Sequence, residues 1–471
     1  MSKYPNGHEL RVFFDPQSAY GTRAADAPAG ADAVLLRSFS VTPSRPSEPG
    51  EDRYGKITEV DGYDIEMPEG AEWSAELDAN LSGSIGTDPD FVDILTSGGW
   101  TQDDAGGNLD TTADGSNSHT DTTSTIGVAS TSTVSAGDAV AITVAASGTT
   151  FLRYVSAVSS GTSVTVKPAL VGLDGQNIDP ANGDTVKSVA IFSVNQNRDE
   201  DKALTIWGTY ANHQDVLTGA IVQQETWSMG GGGTATLGVS GFAQSSASLG
   251  YTTLDGDIDN SVTSLDVNDT VLNERALPAH FLIGTEVVEV TAISADGYTW
   301  TVARGDGLGA SAAAHSSGAA ITPYRPSPTY ATAKVSAKCG APAVFGDYAL
   351  RLQSAQIQID WGMQEDANEL GSCYARPGAS ASGGVDVSVS MEGLLRRDNE
   401  GPVAYELQRR FKAGMIVQQG DVAGAMLALY CPVVRLEEPA RTTSDKVGVS
   451  FSGRAKGASL TTPSPVYLII G

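Results

Sequence analysis

Cysteine is scarce. Three residues among 471, Cys339, Cys373 and Cys431, widely spaced and odd in number, exclude a disulfide framework and read as reduced thiols or small buried side chains. Basic residues are also few, 29 Lys and Arg against 56 Asp and Glu, a formal net charge of -27. Phosphate contacts need clustered cations, so this balance argues against a surface that holds nucleic acid. No apolar run approaches the ~20 residues needed to span a bilayer, and no membrane partner is expected. The first 16 residues, MSKYPNGHELRVFFDP, show neither a long apolar segment nor a small-residue cleavage site, so the expectation is a protein made and kept in a cytoplasm.

Catalytic and metal signatures are equally thin. His8, His119, His213, His280 and His315 are scattered without ligand spacing or a nearby nucleophile motif, and read as solvated or loop histidines. Gly230 to Gly233 lack the Gly-Lys-Ser/Thr of a phosphate loop and read as a hairpin tip. Asp255, Asp257, Asp259 and Asp266 have the offsets of a calcium loop, but Asn260 stands where Gly belongs and Asp266 where a bidentate Glu belongs. The expectation is no enzyme, no cofactor and no structural metal.

What is present is strand. Gly, Ser, Thr and Ala abound, aromatics make up 7%, and alternating runs outnumber helical ones, which predicts an all-β chain. The stretch EWSAELDANLSGSIGTDPDFVDILTSGG alternates Trp73, Ala75, Leu77, Ala79 and Leu81 with Glu72, Ser74, Glu76, Asp78, Asn80 and Ser82, a half-buried strand. A short helix follows, with Asp88 as N-cap, Pro89 in its first position and Gly98 and Gly99 as its stop. From Gly384 the pattern recurs: Val385, Val387, Val389 and Met391 alternate with Asp386, Ser388, Ser390 and Glu392, and a helix is predicted from Pro402 to Gly414. Each strand is preceded by another strand and a long loop, Pro43 to Pro68 and Trp361 to Gly383, and each helix is followed by further strands. Two diverged copies of one β-rich domain in tandem account for this order.

The predicted organisation is an arm over 1–27, a first domain over 28–100 plus 188–249, an inserted polar tract and small β-module over 101–187, a second small β-module over 250–326, and a second domain over 327–471. The copies differ in charge: 15 acidic against 4 basic residues from Pro28 to Trp100, but 14 against 12 from Phe345 to Gly457. Arg396, Arg397, Arg409, Arg410 and Lys412 flank or lie on the second predicted helix and are candidates to meet acidic loops of a neighbouring module or ring.

This order of strand, long loop, amphipathic strand, short helix and closing strands resembles the major tail tube proteins of long-tailed, siphovirus-like bacteriophages. The piece GTEVVEVTAI with TVARGDG also resembles a small β-module of phage virion proteins. The resemblance implies two tail-tube-like β-sandwich or barrel domains, each with a flanking helix, with the inserted modules outside. It implies a trimer with six pseudo-equivalent modules per ring, rings stacked as a tail tube in the virion and assembled in the host cytoplasm, and tail tip and tail terminator proteins as partners. Tape-measure protein and genomic DNA would transit the lumen without specific binding. Glu72, Glu76 and Asp78 of copy one, with Asp386, Ser388, Ser390 and Glu392 of copy two, are the candidates to face that lumen. The competing expectation is a tail adhesin or decoration protein that binds a host glycan through its small modules.

Overall fold

The computed structural model describes residues 10–23, 27–44, 47–48, 65–66, 70–104, 106, 110–120, 122–131, 133–159, 161–172, 174–195, 202–273, 276–305, 308, 311–336, 342–346, 348–366, 378–381, 383–394, 412–437, 440–443, 447–459 and 463–471. The fold is all-β. One α-helix, Val92–Gly98, stands among the described residues, and every named strand pair is antiparallel.

The alternation of Gly70–Asp78 sends Trp73, Ala75 and Leu77 into the core and leaves Glu72, Ser74 and Glu76 exposed. This strand is the second of an eight-stranded wall. Its order is Leu36–Ser44, Gly70–Asp78, Thr236–Leu249, His213–Gly230, Leu352–Asp360, Asp386–Leu394, Val447–Lys456 and Ala440–Thr443. A second layer backs it. In copy one this layer is Ala33–Val34, Arg11–Pro16, Leu204–Tyr210 and the first half of His213–Gly230. In copy two it is Tyr348–Leu350, Ala343–Phe345, Lys412–Gln419 and Leu427–Leu436, extended by Tyr467–Ile470, Thr185–Val194 and Trp100–Asp104. One apolar core, with Trp73, Leu77, Ile357 and Val389 from the wall and Phe14, Ile206, Phe192 and Leu468 from behind it, fills the space between.

The duplication is visible in the irregularities. The first wall strand of each copy is bulged at the same place, between Leu36 and Ser38 and between Leu352 and Ser354. A second matching bulge lies between Leu204 and Ile206 and between Ala413 and Met415. In both copies a glycine opposes the bend of the long strand. A Cβ on Gly241 would stand 1.8 Å from the Ile221 carbonyl oxygen, and one on Gly453 would stand 2.7 Å from that of Arg435. Side chains cannot be accommodated at such distances, so the backbone crossing itself requires glycine. The long loops are of equal length, 45–69 and 361–385, and each holds a two-stranded ribbon, Ser47–Glu48 with Ile65–Glu66 and Met363–Asp366 with Gly378–Ala381.

The small modules lie on the side of the second layer away from the wall. The module over 252–323, a six-stranded sheet, packs Phe281 and Trp300 into a core shared with Phe13, Ala33, Trp207 and Val216 of copy one. The other module covers the corresponding face of copy two, where Ala141, Leu152 and Val189 meet Val344, Ile416 and Tyr430. The polar tract is drawn into it: Asp110–Thr112 pairs with Thr185–Val194, and Ser124–Gly127 with Ser163–Lys167.

Several expectations change. Leu10 to Phe14, read as part of an arm, mostly forms the buried strand Arg11–Pro16, because Val12, Phe13 and Phe14 have cores to enter on both faces. Asp88 is not the helix N-cap: the helix begins at Val92 after Phe91, and the Asp88 carboxylate accepts from Gln102 Nε2 at 2.7 Å. The stop at Gly99 stands, in the left-handed conformation with φ 102. Asn80 is not on the polar face but buried, where Asn80–Leu81 pairs with Ala333–Lys334. The second predicted helix lies mostly outside the described residues, and its last three positions, Lys412 to Gly414, are strand. The strand Thr185–Val194 runs through the expected boundary at 187, its first half in the module and its second half in the body.

Candidate functional site

The two amphipathic strands meet on one surface. Period-two alternation places residues i and i+2 on the same side, and register aligns those sides from strand to strand. In one row Ser38 faces Glu76, Glu76 faces Gly238, Gly238 faces Thr226, Thr226 faces Gln358, Gln358 faces Ser388 and Ser388 faces Arg454. In the next, Asp78 faces Thr236, followed by Ser228, Gln356, Ser390 and Ser452. All seven candidates, Glu72, Glu76, Asp78, Asp386, Ser388, Ser390 and Glu392, therefore lie on one continuous polar face, with Asp78 half-buried and the others exposed. Between the strands of copy one this face is hollowed into a concavity of 320 Å³ lined by Ser38, Ser74, Glu76, Gln224, Thr226 and Ser240.

Its chemistry is hydroxyl and amide with a minority of charge. Asp360 joins the five carboxylates among the seven candidates, and its Oδ1 accepts from the Gly362 N–H at 2.9 Å. Cations that the sequence reading missed neutralise part of the acid. Arg37 Nη2 lies 2.6 Å from Asp78 Oδ1 and Nη1 lies 3.5 Å from Glu76 Oε1, while Arg454 Nη1 lies 3.0 Å from Asp386 Oδ2. Such exposed pairs contribute little stability, ~0–1 kcal/mol, but they lower the field of the face. The alternation of LQSAQIQID was a legible signal for Gln356, Gln358 and Asp360; the pairing of Arg37 and Arg454 was not, because each partner is distant in sequence or across a strand.

Where the copies join, His213–Gly230 pairs with Leu352–Asp360, and the junction is held from behind by a buried carboxylate. Glu225 accepts from Trp100 Nε1 at 2.8 Å and from Trp361 Nε1 at 3.2 Å, and the two indoles meet edge to face. Copy one supplies Trp100 and Glu225, copy two supplies Trp361.

Arg396, Arg397, Arg409 and Arg410 lie outside the described residues; Lys412 is exposed at the start of a strand, so it does not sit on a helix. Cys431 is buried, and burial pushes its thiol up to about 12; Cys339 and Cys373 lie outside the described residues. His8 is outside them too, and the other histidines correct the solvated reading in part. His280 is buried. His315 Nε2 lies 2.9 Å from Glu286, whose carboxylate is also gripped by Arg304 at 2.7 Å through both Nε and Nη2. These contacts hold the Glu286 carboxyl down at about 2 against the opposing effect of burial. Three of the four carboxylates of the calcium-like string are engaged locally: Asp257 accepts from the Ser317 N–H, Asp259 from Ser261, and Asp266 from the Thr299 hydroxyl. Among the described residues no three carboxylate, imidazole or thiol side chains gather as a metal site, and no helix is long and apolar enough to cross a membrane. Compared with known protein families the chain matches none of their models, and among curated proteins it matches none.

Proposed function

We propose that this chain is a structural subunit of a phage tail, of the duplicated tail-tube kind, in which three copies close a ring and rings stack into a tube. The polar wall faces the lumen and the small modules face outward. The observation that carries this reading is the pair of open sheet edges. Among the described residues Leu36–Ser44 pairs within the wall only with Gly70–Asp78, and Ala440–Thr443 only with Val447–Lys456. Inside the chain the counterparts of these two edges are already joined. Leu352–Asp360 is the copy-two equivalent of Leu36–Ser44, and it pairs with the end of His213–Gly230, which holds beside Thr236–Leu249 the place that Ala440–Thr443 holds beside Val447–Lys456.

Strand direction alternates through all eight strands, so the last edge of one copy meets the first edge of the next in the same antiparallel sense as the internal junction. Exposed edges are templates for pairing, and a head-to-tail contact that closes produces a ring with no edge left. Three chains supply six quartets of strands. Tail tip and terminator proteins cap such a stack at its ends, and tape-measure protein and DNA pass through it. A wall of serine, threonine, glutamine and excess carboxylate gives phosphates few cations to bind, which suits passage.

The test is polymerisation of the purified protein, read by electron microscopy as hollow cylinders of uniform width with three chains per ring. Val41 is the counterpart of Ile357, which pairs with Trp227 across the internal junction. Val41→Pro removes an edge N–H and should leave a folded monomer with a cooperative melt that forms no cylinders. Cylinders from that variant, or only monomers and closed small oligomers from the parent, would overturn the reading.

A further inference from the structure

A second concavity lies where the 252–323 module meets the body, 670 Å³ in volume, within the ~300–1,000 Å³ of small-ligand sites. It is lined by the end of the long hairpin of copy one and by two loops of the module, with His213, Ser248, Thr270, Asn273, Ser294 and Asp296 as its polar side chains. Two of these are fixed. Asp215 accepts from the Ser248 hydroxyl at 2.6 Å and lies 3.1 Å from His213 Nε2, and the imidazole stacks on Tyr210 with ring centroids 5.2 Å apart. Asp296 accepts from Ser294 Oγ and the Tyr298 N–H, contacts that favour its ionised form.

Two lining glycines, Gly250 and Gly297, are each followed by an exposed tyrosine: Tyr251 is 44% and Tyr298 47% exposed. Among the described residues no other aromatic ring is as exposed, and each of these two adjoins the cleft through a lining glycine, a placement that calls for a ligand. We infer that this cleft binds a neutral oligosaccharide. A pyranose has an apolar C–H face that stacks on tyrosine rings and an equatorial belt of hydroxyls that both donate and accept, matching a carboxylate, an amide, hydroxyls and an imidazole. Anionic sugars are disfavoured. Among the described residues no Lys or Arg lines the cleft, Asp296 does, and burial holds His213 towards its neutral form.

The full-length protein is applied to an array of immobilised neutral hexose and N-acetylhexosamine oligosaccharides beside sialylated, uronic-acid and phosphorylated ones. The best neutral probe is then titrated calorimetrically. Neutral probes should be retained, with Kd raised at least tenfold in Tyr251→Ala/Tyr298→Ala and unchanged in Val422→Ala, which removes an exposed apolar side chain outside the cleft. Both tyrosines are exposed, so the double variant should keep the parent's melting temperature. Retention of acidic probes only, of no probe, or equal affinity in a folded double variant would each overturn the assignment. The cleft belongs to one chain, so the result does not depend on whether chains form cylinders.

Discussion

Glu225 needs both of its oxygens, because each one satisfies a different buried indole N–H. Glutamine at this position keeps one acceptor and turns an amide N–H2 towards the other indole, donor against donor. Leaving a buried donor without an acceptor costs about 1–3 kcal/mol. Glu225→Gln should therefore lower the melting temperature measurably, and since Trp100 and Trp361 are the partners, tryptophan fluorescence should report the change. An unchanged melt would show that the two indoles are not held by this carboxylate. Residue type alone does not mark Glu225 as different from Glu72 and Glu76, the exposed glutamates of Gly70–Asp78. Its burial follows from parity: it stands between Gln224 and Thr226, both on the polar face, and so points to the core.

At the scale of elements the helix Val92–Gly98 shows how acid is placed against its preference. Asp93 is pushed up to about 6, by burial first and then by the charges of Asp32 and Asp88; Asp90 is pushed up to about 6 by burial and accepts from the Ala331 N–H at 3.1 Å. A carboxyl whose folded value is raised binds its proton more tightly folded than unfolded. Stability from Asp93 is thus present below its ordinary value of 3.8 and falls as pH rises through about 6. Asp93→Asn should raise the melting temperature at pH 7 to 8 and change it little near pH 4; equal effects at both would show that Asp93 is ordinarily ionised. The helix itself was legible from Phe91, Val92, Ile94, Leu95 and Gly99. Its start was not, because Asp88 is drawn off to Gln102 across the turn, a contact that local capping rules do not contain.

For the whole molecule the decisive quantity is the charge of the wall. The field of a charge decays over about 8 Å at physiological salt, so in the proposed tube wall carboxylates would act on DNA that approaches them and be nearly silent at the axis of a wide channel. Replacing Glu72, Glu76, Asp78, Asp386 and Glu392 together by Lys leaves Arg37 and Arg454 without their partners and makes the face basic. Cylinders of this variant should bind duplex DNA with an affinity that falls steeply with salt, and particles carrying it should eject DNA slowly or stall. Ejection at the parent's rate would show that this face does not line the path.

The alternation of Trp73, Ala75 and Leu77 with Glu72, Ser74 and Glu76, and of Val387, Val389 and Met391 with their polar neighbours, was enough by itself to establish strands and their buried side. Side-chain parity is a property of the extended backbone and needs no partner to be read. Register and adjacency are different, because they depend on contacts between segments separated by hundreds of residues. Only the tertiary structure decided that Leu352–Asp360 lies against His213–Gly230, that both polar faces join into one, that Arg37 and Arg454 temper their charge, and that each small module covers the outer face of one copy. A strand carries no mark of which neighbour it will take. That choice is made by the loops that bring strands together and by the shared core that holds them there.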